Sequence, residues 1–231
     1  MSEVMRFWLN RGVDGFRVDA IHHLHEDEEE RDNPLDPDWR PGMAPTARWR
    51  NFRTTDQPSV HDSIQAMRRV ANEYQDRVLI GEAYLPIDRL VTYYGADLTG
   101  FHLPFNFHLI STEWRPASIA SLIESYEAAL PEGGWPNWVL GNHDRSRVAS
   151  RVGRAQARVA AMLLLTLRGT PTIYQGEEMG SRTSRYRPTW CKTRSRKMCQ
   201  DSDWVAILRE LRCLGPPDRM GASQRGLRGS R

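Results

Sequence analysis

Cysteine is missing from the first 180 residues of this 231-residue chain, and all three that it has, Cys191, Cys199 and Cys213, lie beyond Gly180. That excludes a disulfide framework and makes a reducing cytoplasm the expected compartment. No apolar run reaches the roughly 18 residues that a bilayer-spanning helix needs, and no charged-then-apolar leader opens the chain. No membrane partner is therefore expected. An excess of one charge sign is also lacking where it would matter. The formal net charge is +3, but Ser181 to Arg231 hold 13 Lys and Arg against 4 Asp and Glu, which leaves the first 180 residues at −6. A nucleic-acid partner is not expected of an acidic body. His22, His23 and His25 stand close together, yet no cysteine or spaced carboxylate set accompanies them, so a metal is not expected.

Three short apolar runs each deliver an acid at the end. The first is Gly12 to Val18, leading through G-F-R-V-D-A-I-H-H to Asp19; the second is V-L-I-G-E-A, with Glu82; the third is W-V-L-G-N-H-D, with His143 and Asp144. A lone strand-end carboxylate is commonly a satisfied structural group. Three of them in series match the layout of a (β/α)8 barrel, where strand ends and the loops after them build the site.

Between these runs the expected elements alternate. Helices are expected at Glu3–Asn10, Val60–Tyr74, Pro86–Tyr93, Ala117–Leu130 and Val148–Leu167, the last one continuous, with its Leu163-Leu164-Leu165 run buried. The next strand and loop are expected at Phe101–Phe107 and a last strand at Thr170–Tyr174, giving a parallel α/β order from Gly12 to Gly180. Glu26 to Asp56 is acidic, then proline-rich, and shows no periodicity. A loop of that length within a domain is more often functional than not, with Trp39 either a packing residue or a stacking platform.

Together these segments resemble the α-amylase family of glycoside hydrolases (family 13). The likeness is greatest to the bacterial α-glucosidase and oligo-1,6-glucosidase branch, through the I-H-H after Asp19, Arg31 to Asp56, H-L-P-F-N-F and G-N-H-D-R-S-R-V-A-S-R. It covers Ser2 to about Gly180. The resemblance implies a partial TIM barrel, about strands 4 to 8, because Asp19 then ends the fourth strand and only one helix precedes it. An interrupted gene or an internal start is the expected reason. Residues 1–180 form this C-terminal part of the catalytic barrel, and residues 181–231 form an Arg-rich, disordered tail with one helix-like piece at Trp204–Leu214. Regrouping the bases that encode Tyr186 to Gln200 by one nucleotide permits I-P-A-D-M-V-Q-D-P-F-E-K-N-V-P, a family-like peptide, so the tail reads as frameshifted.

By the same resemblance Asp19 is the nucleophile of a retaining α-glucosidase, Glu82 the acid/base and Asp144 the stabiliser of the transition state. Arg17, His143 and Arg147 bind substrate. No cofactor enters, and the partner is a small oligosaccharide or disaccharide. Ala20, following the nucleophile, is small, which in this family points to α-1,4 linkages and short substrates such as maltose. The alternatives are a glucosyltransferase, a trehalose synthase-like isomerase, or a non-enzymatic remnant, and a chain with five of eight strands is expected to be inactive alone.

Overall fold

The computed structural model describes residues 1–183. Among the described residues five strands run in chain order: β1 Gly15–Val18, β2 Val78–Gly81, β3 Leu103–Pro104, β4 Asn137–Val139 and β5 Thr170–Thr172. All pairings are parallel, β1 to β2 to β3 in one sheet and β4 to β5 in another. A single parallel bridge, Asn106 to Trp138, joins the two sheets, with Asn106 N–H donating to Asn137 O at 2.9 Å. The result is an arc of consecutive parallel strands, as a run of β/α units in one barrel wall requires.

Seven α-helices lie between and before the strands among the described residues: α1 Ser2–Leu9, α2 Ser59–Ala71, α3 Ile87–Leu90, α4 His108–Ser111, α5 Pro116–Ala129, α6 Val148–Arg151 and α7 Arg154–Thr166. In α2 the apolar residues Val60, Ile64, Met67 and Val70 recur at helical spacing and are all buried. Each such side chain stabilises the fold by about 2 kcal/mol. Pro116 opens α5 at the first turn, where its missing N–H is not needed.

Strand parity sorts the side chains. Phe16, Val18, Leu79, Trp138 and Leu140 pack with the helices in the larger core, whereas Ile80, Val139, Phe105 and Phe107 form a second cluster on the other face. Arg17 pairs in register with Ile80. Two residues further along each strand, Asp19 and Glu82 fall on that same inner face.

Several expected boundaries shift. The first strand starts at Gly15, not Gly12, because Gly12 closes α1 instead: its φ is +88° and its N–H donates to Leu9 O at 3.0 Å. The long helix expected at Val148–Leu167 is two helices broken at Gly153, whose φ of +82° no helix accommodates. Of the leucine triplet only Leu164 is buried, and Leu165 is 60% exposed. Within the strand and loop expected at Phe101–Phe107, the strand is the two residues of β3. Beyond Thr183 the expected Arg-rich tail, with its helix-like piece and the segment expected to be frameshifted, lies outside the described residues.

The loop after β1 has little regular structure but many ties. Asn33 donates to Thr54 Oγ1 at 2.8 Å and accepts from Arg53 N–H at 3.0 Å. Asp56 takes Arg89 Nε at 2.6 Å and the Tyr93 hydroxyl at 2.9 Å, fixing the loop's end against α3 and the turn after it. Trp39 acts within the loop, its indole N–H donating to Ala44 O at 3.2 Å. His23 and His25 likewise have protein partners, Thr54 O at 2.9 Å and Ser63 Oγ at 2.7 Å.

Candidate active site

The end of β1 is clipped to the end of β2. Glu82 N–H donates to Val18 O at 2.9 Å, and Ile21 N–H returns to Glu82 O at 3.0 Å. Between them the chain turns at Ala20, which sits in the left-handed region at φ +40° and ψ +41°. For a residue with a Cβ that conformation costs about 1 kcal/mol. The turn lifts Asp19 out of the sheet while Glu82 stays inside it. Their side chains are accordingly 75% and 4% exposed.

Arg17 links the two acids. Its Nη2 lies 2.9 Å from Asp19 Oδ1 and also donates to Glu82 Oε2. Both carboxyl groups thus meet one guanidinium nitrogen, and their proton affinities diverge. Burial, then the neighbouring Asp19 carboxyl, raises the Glu82 carboxyl above its ordinary value. The neighbouring Glu82 carboxyl, reinforced by Arg17, lowers Asp19. One group is set up to keep a proton and the other to lack one.

Glu82 and Arg17 line a cavity of about 150 Å³ with Phe107, Asn142, His143 and Tyr174. The G-N-H-D turn above it is held by Asn142, which accepts from Asp144 N–H at 3.2 Å and donates to the Tyr84 hydroxyl at 2.6 Å. Tyr84 in turn stacks on Phe107, with ring centroids 4.4 Å apart and planes 13° from parallel. His143 Nε2 lies 3.4 Å from Asp144 Oδ1.

Not every expected residue meets in that cavity. Asp144 lines a neighbouring cleft of about 460 Å³, together with Tyr84, Phe107, Arg145 and Arg151, so the Tyr84–Phe107 stack stands beside both spaces. Arg147 is turned to the loop after β5, donating to Gln175 O and lying 4.6 Å over the Tyr174 ring. It borders the cavity through Tyr174 and does not line it.

Sequence reasoning missed four supports. Tyr84 carried a signal, being an aromatic residue two positions beyond Glu82. Asn142 and Tyr174 gave only their place beside the expected residues. Glu177 gave none: its Oε2 accepts from Tyr174 N–H at 3.1 Å, while Oε1 is buried without a partner beneath Gly141. Burial raises its proton affinity.

Among known proteins, the family model described as "Alpha amylase, catalytic domain" matches residues 1–208. Over 192 residues the chain is 38% identical to the salivary alpha-glucosidase of Anopheles gambiae, covering 78% of this chain and 32% of that protein. It is 37% identical over 191 residues to the amino acid transporter heavy chain SLC3A1 of Homo sapiens, covering 78% and 28% respectively. The crystal structure of the alpha-glucosyl transfer enzyme XgtA superposes with a TM-score of 0.72 at 33% identity, over 80% of this chain and 36% of that one. The chain thus spans about a third of the length of the curated relatives it matches.

Proposed function

Because the chain belongs to the alpha-amylase catalytic-domain family, we propose that Asp19 and Glu82 carry out retaining hydrolysis of short α-glucosides once a closed barrel surrounds them. The observation that carries this reading is that one nitrogen of Arg17 contacts both carboxyl groups, one exposed and one buried. Two carboxyl oxygens that touch the same nitrogen lie closer together than the separation, about 6.5–9.5 Å, that an inverting pair needs to admit water.

In this mechanism ionised Asp19 attacks the anomeric carbon while Glu82, protonated, gives its proton to the leaving oxygen. Glu82, now a carboxylate, then takes a proton from the water that releases the glycosyl group from Asp19. Arg17 keeps Asp19 ionised at the start. Asp144, with His143 beside it, stabilises the oxocarbenium-like transition state through the sugar hydroxyls, and Arg147 helps to hold the sugar. The small side chain of Ala20 supports α-1,4 substrates such as maltose. The cytoplasmic setting and the bacterial α-glucosidase branch belong to the same proposal.

Two other readings have support of their own. Likeness to a glucosyl transfer enzyme favours an acceptor other than water, and likeness to a transporter heavy chain favours a role without turnover. The test is a barrel completed by joining three β/α units ahead of Ser2, given an aryl α-glucoside and followed by proton NMR. Release of α-glucose first supports the proposal. Release of β-glucose first, or no turnover, overturns it, and new disaccharide without free glucose supports transfer.

A further inference from the structure

The turn after β1 is unfavourable on its own terms. Ala20 stands in the left-handed region at φ +40°, a conformation that a Cβ opposes. His22 is 5% exposed, and its Nδ1 has no hydrogen-bond partner among the described residues. Burying a polar atom unpaired also costs free energy. Anchors outside the turn hold it in place. One is Glu82 O, which accepts Ile21 N–H at 3.0 Å, and the other is Asp56, at the far end of the loop, whose N–H donates to His22 O at 2.7 Å. Asp56 is itself left-handed at φ +56°, a region that aspartate tolerates better than most residues. Its carboxylate is only 11% exposed and accepts from Arg89 Nε at 2.6 Å and from the hydroxyl of the fully buried Tyr93 at 2.9 Å. Arg89 and Tyr93 both belong to the segment after β2. The backbone of Asp56 therefore holds the turn after β1 while its side chain holds the segment that carries Glu82.

We infer that Asp56 is a positioning residue for the carboxyl pair, fixing the turn that carries Asp19 relative to Glu82 by acting through His22. The unequal exposure of the two side chains, 75% for Asp19 and 4% for Glu82, is created by the Ala20 turn and lasts only while that turn is anchored. Without Asp56 the left-handed residue relaxes, water reaches Glu82, and Asp19 moves away from Arg17. Burial is the largest cause of the raised Glu82 carboxyl, so admitting water lowers its proton affinity. Asp19 loses the neighbours that hold it down, and its proton affinity rises. A residue with a merely structural role would change stability and leave both titrations where they are. This inference deepens the proposed function and rests on it in treating Asp19 and Glu82 as the reacting pair, while the clamp itself is tested without turnover.

The experiment uses the 231-residue chain with carbon-13 in its Asp and Glu side chains, titrated by NMR. Asp56→Gly keeps the left-handed backbone and the N–H but removes the carboxylate. In it the Glu82 midpoint should fall and the Asp19 midpoint should rise, each by about half a pH unit or more. The Ile21 amide should exchange about tenfold faster or more. Asp56→Asn, which keeps an acceptor for Tyr93, should recover part of both shifts, and Arg31→Gln, which breaks an ion pair confined to the loop, should cause neither. Because Asp56→Gly could fail to fold, Tyr93→Phe removes a single hydroxyl and should move both midpoints in the same directions. Exchange in the unmodified chain decides independently: the Ile21 and Asp56 amides anchor one turn and should exchange at rates within about tenfold of each other. Smaller shifts in a folded Asp56→Gly chain, none in Tyr93→Phe, or a wider gap between the two amides would overturn the inference. A completed barrel that hydrolyses nothing, with the midpoints still displaced by Asp56→Gly, sinks the catalytic reading and leaves the positioning role standing.

Discussion

Asp19 and Glu82 both contact a single nitrogen of Arg17. The cation favours the charged form of each acid. Replacing Arg17 with Met should therefore raise the proton affinity of both carboxyl groups, and Arg17→Lys should preserve part of the effect without the fork geometry. Carbon-13 NMR titration of the two side chains measures this directly. Unchanged titration of both in the Met variant would show that the guanidinium is a bystander.

Glu82→Gln separates acid from base catalysis in the completed barrel. Aryl glucosides with good leaving groups need little protonation, so glycosylation should proceed and then stall, because nothing activates water. Poor leaving groups should lose on the order of 10²–10⁴-fold in the first step. Pre-steady-state burst kinetics distinguish the two, and an equal loss for both classes would remove Glu82 from the role of acid.

Gly141 and Glu177 form a second test pair. A Cβ at Gly141 would lie 2.1 Å from Glu177 Oε1. Gly141→Ala should destabilise the fold by about 1–3 kcal/mol, as overpacking does. Adding Glu177→Ser should recover most of that loss, a coupling that chemical denaturation of the two single variants and the double variant would reveal. Additive losses would mean that Glu177 swings aside freely.

The pH dependence of stability has a defined direction at His102. Its Nδ1 accepts Leu79 N–H at 3.0 Å, which requires a neutral ring, and burial with the nearby Arg68 cation lowers it to about 4. An unfolded histidine titrates near 6.5. The folded value is depressed, so this contribution is fully present above pH 6.5 and is lost as the pH falls towards 4. His22, His61 and His108 are lowered too, chiefly by burial, and act in the same sense. His102→Asn, which keeps an acceptor, should flatten the acid limb by about one proton's worth of slope in denaturant midpoints taken from pH 7 to 4. An identical slope in both proteins would refute the assignment.

The strand order and the convergence of Asp19 with Glu82 were legible because both rest on short-range rules. An apolar run of four or five residues is a buried parallel strand, and period two carries Arg17, Asp19, Ile80 and Glu82 to one face. What stayed hidden depends on contacts between distant loops. Asn142 meets Tyr84 across 58 residues, and Arg151 reaches back 41 residues to Ile110 O at 2.7 Å. The break at Gly153 was masked by apolar periodicity that runs through it, and only the positive φ betrays it. Leu165 belongs to a run that looked buried, yet α7 turns it outward. Asp144 and Arg147 were read from adjacency in one motif, but a turn distributes neighbours to different sides, and the two do not line the Glu82 cavity.

In the proposed reaction Asp19 becomes covalently bonded to the sugar, and mass spectrometry of a trapped intermediate detects that bond directly. The completed barrel is incubated with 5-fluoro-α-glucosyl fluoride, whose ring fluorine slows release, and digested with trypsin. Cleavage after Arg17 and Arg31 yields the peptide Val18 to Arg31, with Asp19 as its second residue. That peptide should gain one fluoroglucosyl group, located to Asp19 by fragmentation, and the gain should vanish in Asp19→Asn. An adduct on Glu82 or on another carboxylate, or continuous turnover with no adduct, would contradict the assignment of Asp19 as nucleophile.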